Sequence, residues 1–250
     1  MKKYGGLHQG FVGRVAAQAG DEKAAKTRLH QAHGAYISPN SVKKAAAIVG
    51  ALETGRPDAG DVSRLLSLHA STRERLPFYG ALYGHILSRA GPAQTVLDLG
   101  CGFNPFSLPL FPAEVSAWHA VDIDERARAA LNSYFRKLGM PETAACMDLV
   151  AETPAHGADI GLMLKLFPVL EAASPGRAYA LADALDVKWL AVSFPTKSLG
   201  GKEKGMRGNY ARTFGEGLGK LASYETDGAL PGKVFGSEIV FALKKRAGPT

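Results

Sequence analysis

Three aspartates, Asp98, Asp122 and Asp148, each close a short apolar run, and two glycines follow the first of them in VLDLGCGFNPF (96–106). Gly100 and Gly102 at that spacing let a turn of backbone approach a bound molecule closely. An acid two residues before the turn suits a cation and repels a pyrophosphate. The GxxxxGK[ST] pattern of a phosphate loop is absent. The third glycine of a dinucleotide turn is replaced by Pro105, which has no N–H to offer. Asp122 stands 20 residues past Gly102, where a carboxylate is placed to accept both hydroxyls of a ribose. Asp148, after a third run, is placed to reach an adenine amino group. Capping of a following turn is the competing use of each acid. Taken together, the acids and the glycine turn favour a ligand with a positive centre, a ribose and an adenine.

S-adenosyl-L-methionine, which leaves as S-adenosyl-L-homocysteine, has those parts: a sulfonium and an ammonium on an adenosine. A fourth apolar run ends in LKLFP (164–168), where a substrate would meet the methyl group. Enzymes that methylate amines often carry a polar-Pro-Pro-aromatic element there, which accepts the amine hydrogens. Lys165 accepts nothing, so the pattern points to a nucleophile with a free lone pair, such as guanine N7. Attack by that atom needs positioning and no general base. The competing reading of Lys165 is a helix-start lysine reaching for solvent. Cys101 and Cys146 have neither disulfide nor metal spacing, and no metal is expected.

Such a site needs a parallel sheet whose strands end together. From residue 94 the chain supplies one: QTVLDL, HAVDI, TAACMDL, ADIGLMLK and VKWLAVSF read as strands, with a helix at ERARAALNSYFRKL. A helical stretch over 169–185, interrupted at Pro175-Gly176, precedes the fifth strand. PTKSLGGKEKG is a polar loop, followed by a helix at NYARTFGEGLGKL. SYETDG and EIVFALKK read as a closing hairpin, with one antiparallel edge strand. Residues 1–90 read as helical. Asn40 or Ser41 is placed to cap SVKKAAAIVGAL, and Asp61 to cap DVSRLLSLH. Ser71-x-x-Glu74 forms a capping-box pattern opening a long helix that stops at Gly91-Pro92. The expected fold is therefore α/β: a Rossmann-like class I methyltransferase domain over 91–250, mostly parallel, preceded by a helical N-terminal domain over 1–90.

The 250 residues suffice for one or two domains, and 46% apolar content for a core. No apolar run has the length of a membrane helix, and the N-terminus lacks the apolar region of a secretory signal. A reduced cytoplasm fits the two cysteines. The net charge of +7 is uneven: residues 1–90 carry +7, 91–190 carry −5 and 191–250 carry +5. Basic flanks imply an anionic partner, nucleic acid foremost, although many soluble helices are simply lysine-rich.

The motifs KTRLHQAHGAYIS (26–38), LSLHASTRERL (66–76), VLDLGCGFNPF, LMLKLFPVLE (162–171) and AVSFPTKSLGGKEKGM (191–206) span nearly the whole chain. In that order they resemble the aminoglycoside-resistance 16S rRNA (guanine(1405)-N(7))-methyltransferases. LHASTRERL and SFPTKSLGGKEKGM are the specific ones. The resemblance implies S-adenosyl-L-methionine as cofactor, the assembled 30S subunit as substrate and a monomer with an RNA-docking helical domain. By motif, the cofactor site includes Tyr36, His69, Ala70, Ser71, Arg75, Gly100, Asp122, Asp148, Leu149 and Leu164, beside Asp98. Arg75 would clamp the methionine carboxylate. Lys26, Arg28, Arg64, Lys197, Lys202, Lys204, Met206 and Arg207 would meet RNA. Phe103, Phe106 or Phe194 would stack on a flipped guanine or pack in the core. His30 and His33 read as packing or RNA-facing residues. Where the family often has Gln after Leu-Glu of the fourth motif, this chain has Ala172-Ala173. Competing readings are methylation at another rRNA position or of a small molecule, a non-catalytic rRNA-binding factor and, more remotely, a nicotinamide oxidoreductase.

Overall fold

The computed structural model describes residues 4–55, 57–196, 212, 214–225 and 232–247. Ahead of residue 91 lie α1 (Gln9–Gln18), α2 (Glu22–Leu29), α3 (Pro39–Ala51), α4 (Ala59–Ser67), α5 (Ala70–Arg75) and α6 (Tyr79–Ala90). Their caps correct the sequence reading. Ser38, not Asn40 or Ser41, accepts the Ser41 N–H at 3.0 Å, and Asp58, not Asp61, accepts the Asp61 N–H at 2.7 Å. A cap oxygen serves the N–H three residues ahead, so the cap lies further upstream, and Pro39 fits the first helical position because no N–H is needed there. The helix from Ser71 is also not continuous. Pro77 cannot extend it, so α5 stops at Arg75, a 3₁₀ turn covers Leu76–Phe78, and α6 begins at Tyr79. Instead of closing a capping box, Glu74 pairs with Lys165. Between α2 and α3 the chain widens into a π turn, His30–Gly34, of a kind often found at functional sites.

The sheet contains β1 (Thr95–Leu99), β2 (Ala117–Asp122), β3 (Ala144–Cys146), β4 (Ala158–Leu164), β5 (Val187–Pro195), β6 (Lys233–Phe235) and β7 (Glu238–Lys244). Their order is β3-β2-β1-β4-β5-β7-β6. β1 to β5 are parallel, β7 runs antiparallel to β5, and β6 antiparallel to β7. The antiparallel strand is thus second from the edge, with β6 outside it. The closing hairpin also differs from expectation. It joins β6 to β7 through Gly236-Ser237, where Gly236 takes φ +51°. Only residues 223–225 of SYETDG are described, and Tyr224 makes an isolated bridge to Lys245. Gly236 supplies the left-handed residue a tight hairpin needs. Of the helix expected over 209–221, the described part is helical to Gly217 and ends in a 3₁₀ turn, Leu218–Lys220.

Two apolar layers cover the sheet. α7 (Glu125–Lys137) and the helices before residue 91 bury Val49, Leu65, Tyr83 and Leu131 against Val96 and Trp118. This layer crosses residue 91 without a break. α8 (Phe167–Ala173) and α9 (Arg177–Ala184) bury Leu170 and Leu181 against Leu97, Leu99 and Met163. β1 is therefore covered on both faces, which explains its continuous apolar run. Strand order reverses between β1 and β4, so a crevice opens at their carboxyl ends.

Candidate active site

The crevice begins at the turn after β1. Gly100 has φ +58° and Gly102 φ +50°. A Cβ on Gly100 would stand 2.7 Å from Leu166 Cδ1, and one on Gly102 2.7 Å from His69 Nε2. Backbone and space both demand glycine here. Asp98 does not face this crevice, which corrects the sequence reading. Side chains alternate along a strand, and Asp98 shares the face of Val96 beneath the helical layer. It is 1% exposed, and its Oδ2 accepts from Asn104 Nδ2 at 2.8 Å and Trp118 Nε1 at 3.2 Å. Burial pushes its carboxyl up to about 7, against the two hydrogen bonds that lower it. Asp98 braces the glycine turn from behind.

A cleft with about 1000 Å³ of empty space, its mouth included, opens beyond the turn. Tyr36, His69, Ser71, Arg75, Gly100, Asp122, Asp148, Leu149, Leu164 and Lys165 all line it. Ala70 does not; its N–H donates to the Tyr36 carbonyl at 3.0 Å and so ties α5 to the segment after the π turn. The Tyr36 and His69 rings stack at 6.1 Å. Burial and the nearby Arg75 push the His69 imidazole down to about 3, so it is neutral at physiological pH. Its Nδ1 is buried without a hydrogen-bond partner among the described residues.

The strand-end acids have partners already. Asp122 accepts the N–H groups of Gly102 at 2.8 Å and Ile123 at 2.7 Å, holding β2 to the glycine turn. Asp148 is 2% exposed and gripped by Arg14 of α1. Beside them His33, carried in by the π turn, sets its Nε2 3.2 Å from Asp124 Oδ2. Burial alone would raise the Asp124 carboxyl, yet His33 and Arg126 hold it well below the usual range. Ala173, at the position where the family often has Gln, lines the cleft, as does the buried Cys101, whose thiol burial pushes well up.

At the other end of the cleft Arg75 donates through Nε and Nη2 to Glu238, at 2.6 and 3.1 Å. Burial opposes the guanidinium charge, but Glu238 outweighs it and holds Arg75 above its ordinary range. Lys165 follows β4 with φ +59°, the left-handed conformation rarely adopted by a residue with a side chain. Its N–H reaches Ser193 Oγ at 2.9 Å, and its ammonium lies 2.6 Å from Glu74 Oε2 and 3.4 Å from Ser237 Oγ. The lysine does not run out to solvent.

The remaining candidates divide. Lys26, Arg28 and Arg64 are exposed on the N-terminal helices, Lys26 paired with Glu22 and Arg64 with Asp61. Lys197, Lys202, Lys204, Met206 and Arg207 lie outside the described residues. Phe103, Phe106 and Phe194 are core residues, 0%, 0% and 4% exposed, and none stands ready to stack on a base. His30 is exposed on the π turn. No group of three metal-ligating side chains occurs among the described residues, and no described helix is long and apolar enough to cross a membrane.

This sheet order, with a glycine turn and acids at the ends of β2 and β3 around one cleft, defines a class I S-adenosyl-L-methionine-dependent methyltransferase. A family profile described as ribosomal RNA methyltransferase (FmrO) matches residues 1–224. The chain is 40% identical over 223 residues to a 16S rRNA (guanine(1405)-N(7))-methyltransferase of Serratia marcescens, covering 89% of this chain and 82% of that one. A Micromonospora echinospora relative of the same description is 31% identical over 89% of this chain and 82% of its own. Among solved structures, the 16S rRNA methyltransferase RmtF in complex with S-adenosyl-L-homocysteine superposes with a TM-score of 0.84 at 33% identity, covering 98% of this chain and 94% of that one. The chain belongs to the 16S rRNA (guanine(1405)-N(7))-methyltransferase family.

Arg14, Asp124 and Glu238 are absent from the sequence candidates, and His33 stands there only as a packing or RNA-facing residue. Only Arg14 left a signal: with Phe11 and Val15 it falls on one helix face, an unusual place for an unpaired charge.

Proposed function

We propose that the chain transfers the methyl group of S-adenosyl-L-methionine to N7 of guanine 1405 of 16S rRNA and thereby confers aminoglycoside resistance. The observation that carries this reading is the cleft at the switch point, walled by Asp122, Asp148 and a glycine turn that leaves no room for a Cβ, in a chain of this family. Its residues fit the cofactor. Asp122 would hold the ribose, and Asp148 with Leu149 and Val150 the adenine. Ser71 and Arg75 would take the methionine carboxylate, for which arginine's fork is suited. When bound, the cofactor supplies an electrophilic methyl group on a sulfonium.

The chain's own task is then to orient and exclude water, because guanine N7 carries its lone pair without help from a base. The left-handed backbone of Lys165 keeps its side chain at the end of β4, where we assign it to the O6 edge of the target guanine. There it would exchange Glu74 for the base. The helical region 1–90, with its net charge of +7, is the rRNA-docking part, joined by the lysine-rich segment around 197–207. Lys26, Arg28 and Arg64 would contact phosphates, each steepening the salt dependence of binding. The protein acts as a monomer in the cytoplasm on the assembled 30S subunit, and the target guanine flips out to reach the methyl group.

The test is methyl transfer from labelled S-adenosyl-L-methionine to purified 30S subunits, then cleavage at N7-methylguanine and primer extension. A single stop at guanine 1405, lost in Asp122→Ala through loss of cofactor binding and in Lys165→Ala without it, is the expected result. A stop elsewhere, or no transfer with the cofactor bound, overturns the target.

A further inference from the structure

Asp148, which lines the cleft, takes its charged partner from the first helix of the chain. Arg14 follows Phe11 by one helical turn and precedes Val15, on the face that these two bury. Its Nε lies 3.0 Å from Asp148 Oδ2, and its Nη2 lies 2.8 Å from both Oδ1 and Oδ2. The Val150 N–H reaches Oδ1 at 3.1 Å. Asp148 is 2% exposed, so the protein itself supplies almost all its donors. A carboxylate has about four acceptor sites. These contacts put two on each oxygen, with Nη2 shared between Oδ1 and Oδ2, so the opening for one further donor is the share that Nη2 divides. Where that opening points depends on the guanidinium, because a planar fork fixes the plane of the carboxylate it grips.

The helix that carries Arg14 is itself tied to the end of β2. The His8 N–H donates to the Ile123 carbonyl at 2.8 Å, and the Glu125 N–H to the Gly6 carbonyl at 2.9 Å. Tyr4, Leu7, Phe11, Val15 and Leu29 form a separate apolar cluster that packs on Ile123. Phe11 also lines the cleft. Residues 4–18 therefore back the Asp148 side of the cleft, with Phe11 lining it, from a part of the chain that the sheet does not contain.

We propose that Arg14 is a positioning residue for the cofactor: it orients Asp148 so that the one remaining opening meets the 6-amino group of adenine, and it thereby sets selection for adenosyl over 6-oxopurine ligands. This rests on the reading of Asp148 as the adenine acceptor. A 6-oxo base presents an oxygen to the carboxylate and is repelled. A site built around a ligand N–H rejects the analogue that lacks it far more strongly than apolar contacts do. Without Arg14 the carboxylate is free to turn and meet either edge.

Calorimetric titration of the full chain with S-adenosyl-L-homocysteine and S-inosyl-L-homocysteine tests this. Wild type should prefer the adenosyl ligand by about 100-fold or more. Arg14→Gln should cut that preference by at least about tenfold, mainly through weaker adenosyl binding. Arg14→Lys should not restore it, because one ammonium cannot grip both oxygens in plane, and it serves in place of the glutamine variant if that one fails to fold. The ratio of two affinities measured on one preparation does not depend on its folded fraction. Val15→Ala loosens the same helix without touching Asp148, and should leave the ratio unchanged. A wild-type preference that survives both Arg14 variants, or that falls equally in Val15→Ala, overturns the role of Arg14. No preference in wild type, or one indifferent to Asp148→Asn, overturns instead the reading of Asp148 on which it stands.

Discussion

Glu238 and Arg75, 163 positions apart, meet as a two-pronged ion pair sealed from water, Nε to Oε1 at 2.6 Å and Nη2 to Oε2 at 3.1 Å. Glu238 Oε2 also accepts from Ser193 Oγ at 2.7 Å, and Ser193 Oγ in turn accepts the N–H of Lys165. β7 thus sets the guanidinium on one wall of the cleft and the left-handed lysine on another. It does so from beyond residues 1–224, the stretch matched by the family profile.

Removing one partner of a buried pair leaves the other charge uncompensated. Glu238→Ala should lower stability by about 3–5 kcal/mol in urea unfolding. Ser193→Ala removes a hydrogen bond to the charged Glu238 carboxylate and should cost about 1.5–3 kcal/mol. It should slow methyl transfer by more than it weakens cofactor binding, since it touches Lys165 directly and Arg75 only through Glu238, which keeps both prongs of that pair. The exposed pair of Arg136 and Glu142 makes the contrast: Glu142→Ala should leave the urea midpoint where it is.

What the sequence made legible follows from what is local. The strand runs are mostly apolar, so the acid that ends β2 and the acid two residues past β3 stand out, which makes Asp122 and Asp148 legible. Asp98 misled because a strand turns alternate side chains to opposite faces: it is one position from facing the cleft and lies behind it. The caps of α3 and α4 lie upstream of the sequence expectation because a cap serves an N–H three residues on. The hairpin lies elsewhere than expected because KVF is too short to carry a period, and Gly236 is the one local mark of its turn. Arg14 shows only as a charge on the face of its helix that Phe11 and Val15 bury, and Glu238 not at all. Their partners lie 134 and 163 residues away, and an ion pair between distant segments leaves no local pattern that names the partner.

The buried Asp98 makes stability fall as pH rises. Its carboxyl titrates at about 7 in the folded protein against 3.8 as the ordinary value, chiefly through burial. Below about pH 4 both states hold the proton. Between there and pH 7 only the folded state does, so stability is lost progressively as the pH climbs, by up to about 4 kcal/mol. Asp98→Asn keeps an oxygen for Asn104 and Trp118 and has no proton to lose. Plots of unfolding free energy against pH should therefore diverge, with the wild type falling relative to the variant from pH 4 to 8.

His69 works in the opposite sense. Its imidazole titrates at about 3 against the ordinary 6.5, because burial and Arg75 disfavour the cation. Between those values the unfolded chain takes up a proton that the folded chain refuses, so stability falls as pH drops below about 6.5. In His69→Gln that part of the acid sensitivity should vanish. In the wild type the His69 ring resonances should stay at their neutral positions from pH 8 to 5, and a shift midpoint near 6.5 would show that the ring is not sealed as described.

Gly102 joins the backbone and the side-chain halves of the cleft. It holds φ +50°, its N–H is bound by Asp122 at 2.8 Å, and a Cβ would meet His69 Nε2 at 2.7 Å. An alanine there suffers twice: the left-handed backbone costs about 1–2 kcal/mol, and the methyl group drives against a ring that is itself stacked on Tyr36. Either the turn shifts, pulling the N–H off Asp122, or His69 moves and takes Tyr36 with it. Both routes deform the wall proposed for the cofactor, so Gly102→Ala should weaken S-adenosyl-L-homocysteine binding by at least about tenfold in calorimetry, more than its loss of stability alone would cause. Gly91 also has positive φ, +76°, but nothing stands within 4 Å of its missing Cβ. Gly91→Ala should therefore lose at least as much stability, because φ +76°, ψ −168° is a region that only glycine adopts readily, and still bind the cofactor product as wild type does, which separates strain from obstruction.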